Sequence, residues 1–365
     1  MNHGGVMPNY ECNAACRHCL YACSPTRTGG YMGEAVMHEM FGILRENGCR
    51  SVHIGGGEPF LDFEGLLVLV GTAARYGIGI DYIETNASWV GDEAITKKRL
   101  KELSNAGADT LCISVDPFHV EYVPLKQPLR LAKVCAETGF GYFLWQERFL
   151  SMMQGLDPEI CHSRASLEAA IGKDYIYETA RAYGLCIGGR AVNIEREFSV
   201  PRHIEITTKP CSGLLSGNHF HVDMHNRYIP PGCTGIAIEL RDAAEGLPPG
   251  KYPALEALLE KGLGGLYEYA VVPGAKNPLP SESVLTGAGN PEENLGFAKK
   301  FVPDETGYTS PCAMCFHIRK HLSGLGRCPE LVREHYEESL RIINTSDKCH
   351  GLIISPCQCI KPPKS

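Results

Sequence analysis

The sequence lacks any long hydrophobic segment. Its longest apolar run, LLVLVGTAA, is far shorter than the roughly 20 residues that a membrane-spanning helix requires. It begins MNHGGVMPNYEC and so also lacks the charged stretch and apolar run of a secretory signal. These two absences predict a cytoplasmic protein that does not enter a membrane.

Excess positive charge is also absent. The chain has 35 Lys and Arg residues against 42 Asp and Glu residues, a net charge of −7, and it shows no basic cluster. This balance argues against a nucleic-acid or membrane-surface binder. The hydrophobic content of 44% over 365 residues is typical of a globular protein with one large core, or one core plus an appendage.

Cysteine, by contrast, is abundant, with 17 residues. In a reducing cytosol these cysteines would not form a disulfide framework, so the clustered ones indicate metal binding or catalysis. The isolated ones are interpreted as small buried apolar residues; they are Cys49, Cys112, Cys135, Cys161 and Cys186.

The first half of the chain alternates between strand and helix patterns at intervals of about thirty residues. One helical pattern ends at Gly48, and another begins at Asp92 and ends at Gly107. This alternation predicts an α/β fold with parallel strands, either an open doubly wound sheet or a full or partial barrel. The predicted strands cover residues 51–55, 77–86, 109–116, 139–146 and 184–192.

After about residue 200 the proline and glycine content rises, strand patterns become rarer, and cysteines return in pairs. We therefore predict a core domain over residues 1–200, a cysteine-rich domain over 201–345, and a loosely ordered, cysteine-containing tail over 346–365.

The first cysteine cluster is Cys12-x3-Cys16-x2-Cys19, followed by Cys23. Three interpretations fit these residues. All four thiols could hold zinc. The spacing from Cys16 to Cys23 also has some likeness to a bacterial ferredoxin site. Alternatively, three thiolates could hold a [4Fe–4S] cluster and leave one iron open for a ligand.

The C-x3-C-x2-C spacing resembles that of the radical S-adenosylmethionine (radical SAM) superfamily, although His18 stands where that family usually has an aromatic residue. Further matches follow in the expected order at predicted strand ends: GGEP (56–59), ETN (84–86) and ISVD (113–116). The resemblance implies a partial (β/α)6 TIM-like barrel of the radical SAM type.

The resemblance also implies the chemistry. Cys12, Cys16 and Cys19 would hold the [4Fe–4S] cluster, and S-adenosylmethionine would bind its open iron. One electron, from a donor such as flavodoxin or ferredoxin, would cleave the nucleotide and release a 5′-deoxyadenosyl radical, which abstracts a hydrogen atom from the substrate.

Several residues would contact S-adenosylmethionine in this interpretation. Gly56 and Gly57 allow close backbone approach, Glu58 pairs with the ammonium group, and Pro59 stiffens the turn. Residues 187–189 resemble the strand on which the family lays adenine. Each position also has an ordinary use, as a turn, a helix cap or a surface residue. The remaining candidate contacts are Thr85, Asn86, Ser114, Asp116 and Arg190.

The second cysteine group resembles the SPASM and Twitch extensions of that superfamily. Cys211 and Cys233 flank a predicted hairpin, and Cys312-x2-Cys315 opens a predicted helix. These four residues are the candidate ligands of one auxiliary [4Fe–4S] cluster, and a tetrahedral zinc site is the alternative. Cys328 is a further candidate ligand, while the roles of Cys349, Cys357 and Cys359 stay open.

The sequence thus predicts a radical SAM enzyme that acts on a small molecule or a peptide. Because the triad begins at residue 12, we expect no preceding peptide-recognition domain, which favours a small molecule or a peptide delivered by a partner. His119, Glu121 and Tyr122 are candidate substrate contacts. The alternative function is a non-catalytic iron–sulfur electron carrier or a zinc-stabilised binding module.

Overall fold

The computed structural model of the protein describes residues 1–184, 186–271 and 301–336. The predicted tail, Cys349, Cys357 and Cys359 lie outside these residues. The strands are β1 (His3–Met7), β2 (Ser51–Ile54), β3 (Gly79–Thr85), β4 (Thr110–Ser114), β5 (Gly141–Trp145), β6 (Asn218–Asp223), β7 (Arg227–Ile229) and β8 (Ile238–Glu239). The helices are α1 (Glu34–Glu46), α2 (Phe63–Arg75), α3 (Glu93–Ala106), α4 (Lys126–Thr138), α5 (Phe149–Met152), α6 (Arg164–Ile171), α7 (Tyr175–Tyr183), α8 (Ala191–Phe198), α9 (Leu240–Glu245), α10 (Pro253–Val271) and α11 (Pro311–Gly324).

The strands form one sheet in the order β5-β4-β3-β2-β1-β6-β7-β8. β1 to β5 are parallel, and β6 adds to the free side of β1 in the same direction. β7 and β8 continue the sheet in antiparallel fashion. The predicted α/β class with a parallel sheet is confirmed, and β6 joins the sheet beside β1 rather than beside β5.

Local sequence explains the ends of the first helices. The Asp92 carboxylate accepts a hydrogen bond from the backbone N–H of Ile95 and caps α3, which ends at Gly107 in the left-handed conformation (φ 114°). The chain beyond α1 turns in the same way at Gly48 (φ 84°). The four predicted strands between residues 51 and 146 are confirmed as β2 to β5.

The run at residues 184–192 does not form the expected strand. Gly184 ends α7 in the left-handed conformation (φ 64°), Gly189 also has a positive φ (48°), and α8 begins at Ala191. Glycines that reverse the chain twice within six residues prevent an extended segment. The adenine-binding strand predicted at residues 187–189 is therefore a turn.

The second part of the chain follows the prediction more closely. β6 and β7 form the expected hairpin, with His221 opposite Ile229, and α11 begins just before Cys312. Because β6 pairs with β1, the sheet is continuous across the predicted domain boundary at residue 200. Among the described helices, none combines the length and the apolar character needed to cross a membrane.

Candidate active site

Four cysteines lie in the loop that joins β1 to α1. Cys12, Cys16 and Cys23 are buried, and Cys19 is half-buried. The backbone N–H of Cys12 donates to the Ser24 carbonyl at 3.2 Å, and that of Cys19 donates to the Cys16 carbonyl at 3.1 Å. These bonds fold the loop on itself, so the three predicted cluster ligands converge.

The chemistry of this donor set fits an iron–sulfur cluster. Burial raises the pKa of Cys12 well above its ordinary value, and the nearby charges of Cys16, Glu58 and Cys19 raise it further. A bound metal centre supplies the positive charge that stabilises thiolates held this close together. Cys12, Cys16 and Cys19 could therefore hold the cluster.

Cys23 lies beside this triad. Its Sγ is 3.5 Å from the Gly56 carbonyl, and a hydrogen bond from Cys23 lowers the pKa of Cys19. The Cys23 thiol is thus the neighbour of a predicted ligand, and the glycine loop after β2 is in contact with the cysteine loop.

The glycine loop (56–58) is hydrogen-bonded to the segment before Cys12. Gly57 N–H donates to the Asn9 carbonyl at 3.0 Å, and Glu58 N–H donates to the Glu11 carbonyl at 2.9 Å. A Cβ on Gly57 would lie 1.9 Å from the Glu11 carbonyl oxygen, and one on Gly56 (φ 114°) would lie 2.8 Å from that of Asn9. The two glycines therefore permit close contact between two backbone segments.

The Glu58 carboxylate connects three predicted site residues. It is buried and accepts hydrogen bonds from Thr85 Oγ1 (2.9 Å) and Asn86 N–H (2.8 Å), both at the end of β3. It also accepts a bond from Phe60 N–H and caps the short 3-10 helix that begins at Pro59. The GGEP and ETN motifs thus meet at one carboxylate.

Glu58 gives the protein a defined pH dependence. Burial raises the pKa of this carboxyl from 4.5 to about 7, although its three hydrogen bonds act in the opposite direction. Between these two values the folded state keeps a proton that the unfolded state has lost. The contribution of this carboxyl to stability is therefore greatest below pH 4.5 and is lost as the pH rises through 7. We expect wild type to lose about 3 kcal/mol more than Glu58→Gln between pH 4.5 and 7.5 in urea unfolding; equal pH slopes would contradict this assignment.

Asp116, a predicted nucleotide contact, is saturated by protein donors. Its buried carboxylate accepts from the backbone N–H groups of Phe118 (2.8 Å) and His119 (3.0 Å), from His119 Nδ1 (2.5 Å) and from the Tyr183 hydroxyl (2.6 Å). His18, Asp116 and His119 place potential metal-binding atoms within 4.8 Å of one another. The carboxylate therefore positions His119 and Tyr183, while Ser114 lies half-buried at the end of β4.

The loop after Asp116 packs directly against the cysteine loop. Glu121 accepts a hydrogen bond from Arg17 Nε at 3.0 Å. His119 lies near Cys16. Burial lowers the pKa of His119, but the charges of Asp116 and Cys16 outweigh burial and raise it. The predicted substrate contacts His119 and Glu121 thus have partners within the protein.

Arg190 also binds the cysteine loop. The guanidinium is buried and donates from Nε to the Cys16 carbonyl (2.9 Å) and from Nη2 to the Cys23 carbonyl (2.6 Å). Its Nη1 is buried without a partner among the described residues. The predicted nucleotide contact is therefore engaged with the backbone of the cysteine loop.

One face of the sheet carries a pair of histidines that the sequence analysis missed. His53 on β2 and His221 on β6 meet over Gly5 of β1, with their Nε2 atoms 3.2 Å apart; a Cβ on Gly5 would lie 2.4 Å from His53. Burial lowers the pKa of His53 to about 2 and that of His221 to about 3, so both rings are neutral. Glu84, 46% exposed, lies 4.0 Å from His53. The pattern His-Phe-His at residues 219–221 has the two-residue period of a strand, and it could have indicated that both histidines lie on the same face of the sheet.

The second cysteine group is brought together as predicted. Cys211 precedes the hairpin, Cys233 follows it, and Cys312 and Cys315 occupy the first turn of α11. The charge of Cys233 acts on Cys211, Cys312 and Cys315. The buried Arg319 hydrogen-bonds Cys315 and donates to the Thr234 carbonyl at 2.7 Å. A convergent set of thiols beside a buried cation fits an anionic thiolate-bound metal centre.

Two cysteines differ from their predicted assignments. Cys328, a candidate ligand, is buried beside Glu330 and Tyr269. Burial and then the charge of Glu330 raise the pKa of its thiol to about 12. Cys186, expected to be buried and isolated, is exposed and interacts with Cys233. No disulfide links cysteines in the described part of the chain.

Comparison with known proteins identifies the class of this site. Residues 6–138, which include the cysteine loop and the GGEP, ETN and ISVD motifs, match the family model of the radical SAM superfamily. Residues 6–138 thus form a domain similar to the radical SAM superfamily, whose enzymes use a [4Fe–4S] cluster and S-adenosylmethionine.

A curated relative is the putative peptide biosynthesis protein YydG of Bacillus subtilis (strain 168). It is 28% identical over 117 residues, which are 31% of this chain and 35% of the relative. The chain thus matches about a third of that protein's length.

Similar solved structures include BtrN in complex with AdoMet and 2-DOIA, with a TM-score of 0.41 and 15% identity over 72% of this chain and 88% of that one. Another is Streptococcus suis SuiB bound to S-adenosylmethionine, with a TM-score of 0.34 and 13% identity over 74% and 68% of the two chains.

Proposed function

We propose that this protein is a cytoplasmic radical SAM enzyme that reductively cleaves S-adenosylmethionine and abstracts a hydrogen atom from a peptide or small-molecule substrate. Cys12, Cys16 and Cys19 would hold the cluster, which supplies the electron for cleavage when bound. The observation that carries the proposal is the hydrogen-bonded contact between the triad segment (9–12) and the glycine loop (56–58).

The residues of this chain would act mainly by binding and orientation. Glu58 would pair with the ammonium group of the nucleotide, because a neighbouring cation restores the ionised form of a carboxyl whose pKa burial has raised. Thr85 and Asn86 hold that carboxylate in place. Asp116 would act through His119 and Tyr183, and Arg190 through the carbonyls of the cysteine loop.

Among substrates we favour a peptide. The matched relative is named as a putative peptide biosynthesis protein. The sheet face with Glu84, His53 and His221 is next to the cysteine loop, since the Tyr21 ring lies 5.4 Å from that of His221. A flavodoxin or ferredoxin would deliver the electron.

Anaerobically reconstituted protein should release 5′-deoxyadenosine from S-adenosylmethionine and dithionite. Cys16→Ala should abolish this product, because it removes one of three ligands. Cys135→Ala is the matched control, since Cys135 is a buried residue on α4 outside the site. A fully reconstituted protein that forms no nucleoside product would contradict the proposal.

The position of Cys23 supports one rival function, a saturated electron-carrier cluster. Four thiolates on the N-terminal cluster would leave no iron for S-adenosylmethionine. Electron paramagnetic resonance of the reduced protein separates the two functions. A signal that shifts when the nucleotide is added supports the open iron, and an unchanged signal supports the carrier.

We further propose one auxiliary [4Fe–4S] cluster at the second cysteine group. The triple variant Cys12→Ala/Cys16→Ala/Cys19→Ala should then retain about four irons per chain. Zinc without iron in this variant would show that the second group is a structural zinc site.

A further inference from the structure

Five thiols, rather than four, surround the second cysteine site in the described part of the chain. Cys211, Cys233 and Cys315 are half-buried, whereas Cys312 and Cys186 are exposed. Cys186 comes from the first part of the chain, before the predicted boundary at residue 200, and follows α7. A [4Fe–4S] cluster whose four irons are all bound by cysteine takes four thiolates, so one of the five is in excess.

The segment 186–190 lies between the two cysteine sites and contacts both. On one side, Arg190 N–H donates to the Cys19 carbonyl at 3.0 Å, and a Cβ on Gly189 would lie 2.4 Å from the Leu20 carbonyl oxygen. On the other side, a Cβ on Gly188 would lie 1.9 Å from Thr234 Oγ1. This segment therefore has backbone contacts with both sites.

These contacts fix Cys186 beside the hairpin cysteine. Its Sγ lies 3.1 Å from the position that a Cβ on Gly232 would occupy, and Gly232 directly precedes Cys233. The absence of a side chain at Gly232 leaves this space to the thiol. Cys186 is thus placed against the turn that presents Cys233.

The electrostatics of the group agree with this placement. Burial is the largest cause that raises the pKa of both Cys186 and Cys312, and the charge of Cys233 is the second. The charge of Cys186 also acts on Cys312. The two exposed thiols therefore lie near Cys233 and near each other.

We propose that Cys186 is a ligand of the auxiliary iron–sulfur site and that it competes with Cys312 for the fourth coordination position, next to Cys211, Cys233 and Cys315. The exchange changes no oxidation state, because one thiol loses its proton and binds while the departing thiolate takes up a proton from water. This inference rests on the proposed auxiliary cluster.

The experiment uses the full chain with the N-terminal triad replaced by alanine, reconstituted anaerobically, with iron and zinc counted per chain. Cys186→Ala, Cys312→Ala and the double variant are compared in this background, with Cys161→Ala as the control. We expect about four irons in the parent, the control and each single variant, because either exposed thiol completes the site. The double variant, left with three thiolates, should bind clearly less iron than either single variant while circular dichroism shows an unchanged fold.

Loss of iron in Cys312→Ala alone would overturn the proposal, since Cys186 would then be unable to replace it. An iron content in the double variant equal to that of the single variants would overturn it as well. A parent that holds no iron, or only zinc, would overturn the auxiliary cluster together with this inference. The release of 5′-deoxyadenosine by the protein with its triad intact would still report on the proposed reaction.

Discussion

Arg190→Met is expected to destabilise the protein by about 4 kcal/mol and to release iron from the N-terminal site. The arginine side chain is 2% exposed, and it donates to the carbonyls of Cys16 and Cys23. Methionine fills much of the same volume but has no donor, so two buried carbonyls would lose their partners at about 1–3 kcal/mol each. Urea unfolding and iron analysis of the reconstituted protein measure both effects.

The loss of charge adds to this effect at the cluster ligands. A hydrogen bond from Cys23 and then the Arg190 charge lower the pKa of Cys19, opposing burial. Without the guanidinium, the Cys19 thiolate is less favourable, and the site should bind iron more weakly. The auxiliary site should keep its iron in the same sample, which provides an internal control.

Arg190→Lys separates the charge from the geometry. Lysine keeps the positive charge but cannot reproduce the two directed N–H bonds of the guanidinium. Its stability and iron content should therefore lie between those of wild type and Arg190→Met. If Arg190→Met matched wild type in both measurements, the arginine would not be holding the loop.

The sequence predicted the elements around the site because their determinants are local. The alternation of apolar residues predicts the strands β2 to β5, and the position of Gly107 predicts the end of α3. Both patterns extend over only a few residues. Glu58, Thr85 and Asn86 were predicted as separate nucleotide contacts at strand ends, and their meeting agrees with the rule that the carboxyl ends of parallel strands share one edge of the sheet.

The remaining features depend on contacts between residues far apart in the chain. The pairing of β6 with β1 joins residues more than 200 positions apart, and it creates the histidine pair over Gly5. Side-chain packing selects such pairings, and no local pattern encodes them. The same reason applies to Cys186, whose neighbours lie in a distant hairpin.

Asp116 and Arg190 show a second limit of prediction from the sequence. Residue type and position predicted both as nucleotide contacts, whereas most of their hydrogen-bonding groups are engaged by the protein itself. A carboxylate or guanidinium that matches a ligand also matches backbone and side-chain partners, and only the structure shows which partner is present.

Gly57→Ala is expected to destabilise the protein by about 4 kcal/mol and to abolish S-adenosylmethionine cleavage. Its Cβ would lie 1.9 Å from the carbonyl oxygen and 2.6 Å from the carbonyl carbon of Glu11. These are backbone atoms that cannot rotate away, so the two segments must separate and lose the bonds Gly57 N–H to Asn9 and Glu58 N–H to Glu11. Glu11 directly precedes Cys12, and the triad would move with it.

Gly71→Ala is the matched control, because Gly71 lies inside α2 and a Cβ there would meet no atom within 4 Å. Alanine in a helix interior should stabilise the protein by about 0.5–1 kcal/mol. Urea unfolding, iron content and 5′-deoxyadenosine release of both variants test the prediction. A Gly57→Ala protein that retained its iron and its wild-type unfolding midpoint would show that the close approach of residues 57 and 11 is not needed, and the proposed site would lose the contact on which its geometry rests.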